Sequence, residues 1–379
     1  MPIDFQKLPS PCYVLEEHKL RRNLEILQRV QKEADVEIIC ALKGFAMFST
    51  FPMLRQYLAG ATASSLHEAR LCFEEMKSEA HLCSPAYIEK EFKDLIHYCN
   101  HITFNSLNQW NHFRPYLEKS AKKIHAALRI NPEYSEVTTD IYNPCLAGSR
   151  LGIRHTQLGQ NLPEGINGLH FHSLCENDSY TLERTLNAIE KNFAKLLHQA
   201  DWINMGGGHF ITASGYDIPH LIQLLRNFKE KYNLKIILEP GGTIAYRTGF
   251  LLATVLDILD SKGTKAVIMD ASVSNHMPDC IEMPYKPEIL HAKNAKAGEV
   301  AYRIGGMTCL AGDYVGDYAF DTPLKIGDRL IFKDMMQYTM VKNNTFNGIN
   351  LPSIGIWKEA ETFELVRSFG YEDYKGRLS

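Results

Sequence analysis

The sequence has no CxxC pair, no long uncharged apolar run and no basic block, and each absence removes a class of protein. Nine cysteines (Cys12, Cys40, Cys72, Cys83, Cys99, Cys145, Cys175, Cys280 and Cys309) lie scattered along the chain. An odd, unpaired set suits free thiols in a reducing compartment, so neither disulfides nor a structural zinc or other metal site is expected. No stretch is apolar enough to span a bilayer, and the opening MPIDFQKLPSPCYVLEEH lacks a basic region followed by an apolar one. A cytoplasmic protein without membrane contact is therefore expected. With 41 basic against 44 acidic residues the net charge is -3, and no cluster of Lys and Arg is dense enough to follow a phosphate backbone. Nucleic acid is excluded as the expected partner.

What is present is an ordinary globular composition, 45% hydrophobic and 22% charged over 379 residues, enough for one large barrel or two domains. HKLRRNLEILQRVQKEAD puts Leu20, Leu24, Leu27 and Val30 on one helical stripe. The short apolar run VEIICAL follows, and seven more recur at 61–65, 80–85, 101–104, 124–130, 166–172, 200–205 and 234–239. Helix-period segments such as LHEARLCFEEM, EKEFKDLIHYC, TLERTLNAIEKNFAKLL and IPHLIQLLRNFKEKY separate most of them. Eight buried runs alternating with helices over this length predict an α/β fold, a TIM-type (β/α)8 barrel, whose strands are covered on both faces. The Pro-, Gly- and Asn-rich stretch 132–165 predicts a long loop before its helix.

Beyond Pro240 the pattern changes to short strand-like pieces: FLLATVLDIL, KAVIMDAS, EVAYRIGGMT, RLIFKDM and YTMVKN. The predicted organisation is a barrel over residues 18–245 and an all-β domain, a β-barrel or sandwich, over 246–379. Residues 1–17, with CYVLE, are expected to add a strand to the second.

In a barrel of this kind the chemistry sits at the C-terminal strand ends. Strand one ends at Lys43, strand five in Arg129 and Asn131, strand six in His170 and His172, strand seven in Gly206, Gly207 and Gly208, and strand eight in Glu239. Ser65 and Glu68, after strand two, fit a plain helix cap. A lysine at a strand end normally snorkels; desolvated, its amine becomes a Schiff-base nucleophile. A triglycine is a tight turn or, with a helix N-terminus, a phosphate cradle. Glu239 in EPGG is a salt-bridged loop residue or the partner of a pyridinium nitrogen. Together, an amine for an aldehyde, glycines for a phosphate and a carboxylate for a pyridine nitrogen are the parts a pyridoxal 5'-phosphate site requires. The carboxylate keeps the ring protonated and favours carbanion chemistry such as decarboxylation.

These motifs, in this order from PSPCYVLEEHKLRRN to MMQYTMVKNNTFNG, resemble the alanine-racemase-like fold-type III decarboxylases, the group that holds diaminopimelate and ornithine decarboxylases. Within it the likeness is to carboxynorspermidine (carboxyspermidine) decarboxylases. The resemblance implies that Lys43 in ALKGF carries the cofactor, that His172 in GLHFHS stacks on its ring, and that Gly206 to Gly208 hold its phosphate. Glu239, Gly241 and Gly242 of EPGG, and Arg129 of LRINP, join the cofactor set, and Tyr338 in MMQYT contacts the phosphate. Cys309 in GMTCLAGD is the implied proton donor, with Asp313 beside it, both reaching the active site of the second subunit of a homodimer.

Three departures from the wider family bear on substrate. Gly242 stands where an arginine follows EPG, Leu310 where an acidic residue follows the cysteine, and Cys175 where a serine holds phosphate. Without the arginine a distal carboxylate lacks its partner, so a cationic tail fits better. Asp270, Asp279 and Glu282 offer carboxylates for it, and Glu239, His276, Asp279 and Asp313 form the candidate substrate side. The expected activity is loss of CO2 from carboxynorspermidine or carboxyspermidine, yielding norspermidine or spermidine in polyamine biosynthesis. Alternatives are decarboxylation of meso-diaminopimelate, ornithine or arginine. A racemase would want an arginine at the pyridine nitrogen, and non-catalytic barrels that bind pyridoxal phosphate lack a β domain.

Overall fold

A computed structural model describes residues 3–379, in two compact units. One is Asn23–Ile244; the other joins the N-terminal residues up to Arg22 with Ala245–Ser379.

In the first unit eight strands close into an all-parallel barrel in chain order. They are β2 (Glu37–Ala41), β3 (Gly60–Ala63), β4 (Ala80–Cys83), β5 (Cys99–Phe104), β6 (His125–Arg129), β7 (Gly168–His170), β8 (Trp202–Asn204) and β9 (Lys235–Leu238). Each falls on one of the eight apolar runs, and Glu37 pairing with Ile237 and Ile38 with Leu238 closes the ring. Inside, Ile39, Ala127, Trp202 and Ile237 form one buried cluster. Gly168 makes room for it: a Cβ there would lie 2.1 Å from the Trp202 indole.

The amphipathic stripe of the first helix, Glu17–Ala34, is fully buried at Leu20, Leu24, Leu27 and Val30. Two other helices, Ser179–Leu197 and Ile218–Tyr232, start on Asp178 and Asp217, whose carboxylates accept the N–H groups of Thr181 and His220. Between β6 and β7, where a loop and then a helix are expected, there are only two 3₁₀ turns, Asp140–Tyr142 and His155–Gln157. Pro132, Pro144 and the glycines at φ 78° and 82°, Gly148 and Gly152, interrupt any helical run. Asn131 anchors the loop by donating to the carbonyls of Pro144 and Leu151.

The second unit is built on a nine-stranded sheet. Its strands are β1 (Cys12–Glu16), β10 (Gly249–Ser261), β11 (Thr264–Met269), β12 (Ala292–Asn294), β13 (Ala301–Gly305), β14 (Tyr314–Phe320), β15 (Arg329–Lys333), β16 (Ser353–Trp357) and β17 (Phe363–Arg367). β1 lies antiparallel to β10 and parallel to β16. YTMVKN, expected as a strand, is instead a turn: Tyr338 takes φ 41° and its carbonyl accepts the N–H groups of Val341 and Lys342. Among the described residues no helix is long and apolar enough to cross a membrane.

Candidate active site

Closing the barrel gathers residues from six strand ends. After β2, Lys43 places Nζ 3.4 Å from His172 Nε2. The other ring nitrogen, Nδ1, accepts the Gly207 N–H at 2.7 Å, so the proton of a neutral ring sits on Nε2 and faces the lysine. Arg129, at the end of β6, donates to the His172 carbonyl at 3.3 Å. After β9, Glu239 accepts from Asn204 Nδ2 at 2.6 Å through Oε1, and its Oε2 lies 3.6 Å from His170 Nε2. On the far side of that imidazole, Cys83 Sγ is 3.7 Å from Nδ1.

The electrostatics follow from these contacts. The Lys43 side chain keeps solvent access at the barrel end, yet protein surrounds it on its other sides. Desolvation lowers its pKa, partly offset by Glu239 and Cys83. His172 falls well below the ordinary imidazole range through burial and the nearby Lys43 and Arg129 charges. Both shifts favour the uncharged forms, and it is the uncharged amine that is the nucleophile. Burial pushes the Glu239 carboxyl up, but His170, Lys43 and the Asn204 hydrogen bond outweigh it and hold the group down at about 2.

The glycines act by allowing close approach. A Cβ on Gly207 would sit 2.6 Å from the Glu239 carbonyl oxygen and one on Gly208 2.0 Å from that of Leu174. The N–H groups of Gly206 and Gly207 go to Asn204 Oδ1 and His172 Nδ1, so these two orient site side chains. At Gly44 the Gly241 backbone packs close, 2.9 Å from where a Cβ would be. Ser65 and Glu68 form the expected cap in altered register. Ser65 Oγ accepts the Glu68 N–H, while the Glu68 carboxylate accepts from Ser64.

The remaining candidates belong to the sheet unit. Cys309 is exposed in the loop between β13 and β14, its N–H donating to Asn347. Asp313 is 5% exposed and saturated. One oxygen accepts from Ser272, Val273 and Ser274, the other from the Thr308 N–H and hydroxyl. It is the anchor of the Cys309 loop. His276 is fully buried, accepts the Ser272 N–H and is held down to about 4 by burial, so its ring faces its own unit. Asp279 and Glu282 are both ion-paired with Lys342, the former at 2.5 Å. Tyr338 is half-buried.

Sequence reasoning ranked three contributors too low. His170 was visible as a strand-end histidine in HFH, and Cys83 and Asn204 lie inside two other apolar runs, but nothing local joins them.

A protein-family model for the pyridoxal-dependent decarboxylase C-terminal sheet domain matches residues 100–336. Carboxyaminopropylagmatine decarboxylase of Synechocystis sp. is 52% identical over 98% of this chain and 96% of its own. The carboxynorspermidine/carboxyspermidine decarboxylase of Campylobacter jejuni is 41% identical over 98% and 99%. The chain belongs to the pyridoxal-dependent decarboxylases.

The crystal structure of Campylobacter jejuni carboxynorspermidine decarboxylase complexed with norspermidine superposes with a TM-score of 0.90 at 40% identity, covering 98% of this decarboxylase and all of that chain. A Helicobacter pylori diaminopimelate decarboxylase shares the fold, TM-score 0.84 at 17% identity. The cofactor of this decarboxylase is pyridoxal 5'-phosphate, which supplies the electron sink for loss of an α-carboxylate. The strand ends fit it: a desolvated amine, an ionised carboxylate 3.6 Å from His170 Nε2, and a glycine loop at close approach.

Proposed function

We propose that this decarboxylase removes CO2 from the amino-acid end of a carboxylated polyamine, with carboxynorspermidine or carboxyspermidine as substrate. The observation that carries this is the full-length similarity to enzymes named for such substrates, joined to Gly242, which leaves no guanidinium after EPG for a distal carboxylate. In this reading Lys43 would hold the cofactor and, at the end of the cycle, set the product amine free, His172 would cover the ring, and Glu239 would meet its pyridine nitrogen. Arg129, Gly241, Gly242 and Tyr338 complete the cofactor set. Cys309 Sγ delivers the proton to the carbon that has lost CO2, in a homodimer whose partner copy supplies the thiol, and Asp313 positions the loop that carries it. Asp279, released from Lys342, meets a substrate cation.

A second substrate, carboxyaminopropylagmatine, is favoured by the 52% identical relative named for it. It keeps the same reacting end and replaces the terminal ammonium by a planar guanidinium, which a carboxylate pair binds in a forked geometry.

Release of CO2 from carboxynorspermidine, carboxyspermidine, carboxyaminopropylagmatine, diaminopimelate, ornithine and arginine, compared by kcat/KM, decides among these. The expected order puts the carboxylated polyamines first by at least ~10²-fold, the discrimination a site built for specific polar groups achieves. Diaminopimelate as the best substrate would overturn the proposal. Mixing inactive Lys43→Ala and Cys309→Ala proteins should restore part of the activity, because one hybrid site would be intact.

A further inference from the structure

His170 has no contact with Lys43, yet it is 1% exposed and lies between a thiol and a site carboxylate. It stands 3.7 Å from Cys83 Sγ on β4 and 3.6 Å from Glu239 Oε2 beyond β9, while its own strand is β7. Three separate strand ends thus build one line of polar atoms in a protein interior. We propose that His170 is a positioning residue that holds the Glu239 carboxylate as an oriented anion against the pyridine nitrogen, with Cys83 keeping its imidazole in register. The proposal rests on the assignment of Glu239 to that nitrogen.

Two facts carry it. Glu239 is 6% exposed, and a carboxylate so placed reverts to the neutral acid unless donors or cations face it. Its Oε1 has Asn204 at 2.6 Å, and Oε2 has His170 Nε2. The second fact is that the direction of donation does not depend on where the shared proton lies. If Cys83 keeps its proton, S–H donates to Nδ1 and the ring proton sits on Nε2, toward Glu239. If the proton moves to the ring, both nitrogens carry hydrogen and Cys83 is the anion. Either way an N–H faces Oε2, and a neutral acid at Glu239 is disfavoured. Burial alone would lower the His170 pKa, but Cys83 and Glu239 together raise it to about 9, while the Cys83 thiol is lowered. The other ionisable groups facing this line are Lys43, His81, Tyr87, Arg129 and His172.

The test titrates apo-protein of the full chain with pyridoxal 5'-phosphate between pH 5 and 8, following absorbance, and measures kcat and KM on the loaded enzyme. His170→Leu is expected to weaken cofactor binding about tenfold at pH 8. It should weaken binding further toward pH 5, because Glu239, no longer held down, protonates in that range. His170→Gln, which retains an N–H donor, should recover most of the loss, and KM should move less than kcat. In a Glu239→Gln background His170→Leu should add nothing. If Glu239→Gln alone binds and titrates as wild type, the assignment of Glu239 fails. If Glu239→Gln is impaired but His170→Leu matches wild type or adds in full to it, the role of His170 is overturned and Glu239 stands. Should His170→Leu not fold by thermal melting, Cys83→Ala reads the same line: a few-fold weakening is expected, and unchanged binding counts against it.

Discussion

Two groups of histidines in one barrel respond to burial in opposite ways. His170, at the end of β7, has a thiol and a carboxylate beside it and is raised to about 9. His81, His101 and His125 sit on neighbouring rungs of β4, β5 and β6. Their rings stack, centroids 4.0 Å apart for the first pair and 4.9 Å for the second, with Trp202 edge-on to His101. Burial and its neighbouring imidazoles hold His101 down to about 2, and burial holds His81 down to about 4. The same side chain is a cation-holder in one layer and an apolar plate in the other, so burial by itself does not decide its charge. The difference is whether the acids beside it are close enough to outweigh burial: two are for His170, whereas Glu239 only partly offsets burial for His81.

This contrast breaks most decisively at the strand ends. Lys43→Ala is expected to lower CO2 release on the order of 10³-fold or more, as removal of a covalent nucleophile does, while the melting temperature stays close to wild type. A variant that turns over normally but unfolds early would make Lys43 a structural residue and erase the distinction. Acid offers the next largest effect. His81 and His101 have folded pKa values below the unfolded 6.5, so the unfolded chain binds protons first as pH falls. Stability contributed by these neutral rings is present above about pH 6.5 and is lost as pH drops toward 4 and below. For His81 the loss by pH 4 is on the order of 3 kcal/mol, at about 1.4 kcal/mol per pKa unit. Denaturant midpoints at pH 7 and 5 should show the decline, and His101→Phe should flatten it; a midpoint independent of pH would remove the apolar-plate interpretation. The smallest effect is at the outer end of the stack. His125 is only half-buried, with its pKa lowered mainly by burial, so His125→Gln should alter the pH dependence less than His101→Phe does, a difference the same titration resolves.

Much of this architecture was legible along the chain. Eight apolar runs map onto eight barrel strands because a strand covered on both faces must be apolar throughout, and that requirement is local. That Lys43, His172, Gly206 to Gly208 and Glu239 stand just beyond strand ends was legible for the same reason. Less legible was the sheet unit. YTMVKN has strand composition, yet Tyr338 in a left-handed conformation turns the chain there. Asp313 and His276 look like free polar groups in sequence, but the folded unit engages one with five donors and buries the other.

The sequence by itself determined the period, the order of the strands and which residue types stand at their ends, because these depend on neighbours a few positions away. Which of those residues face one another was decided only by closing the barrel. Cys83 and His170 are 87 residues apart, and Asn204 and Glu239 are 35 apart. The charge of a buried histidine is set by the atom across the barrel from it, and no local pattern encodes that atom's identity.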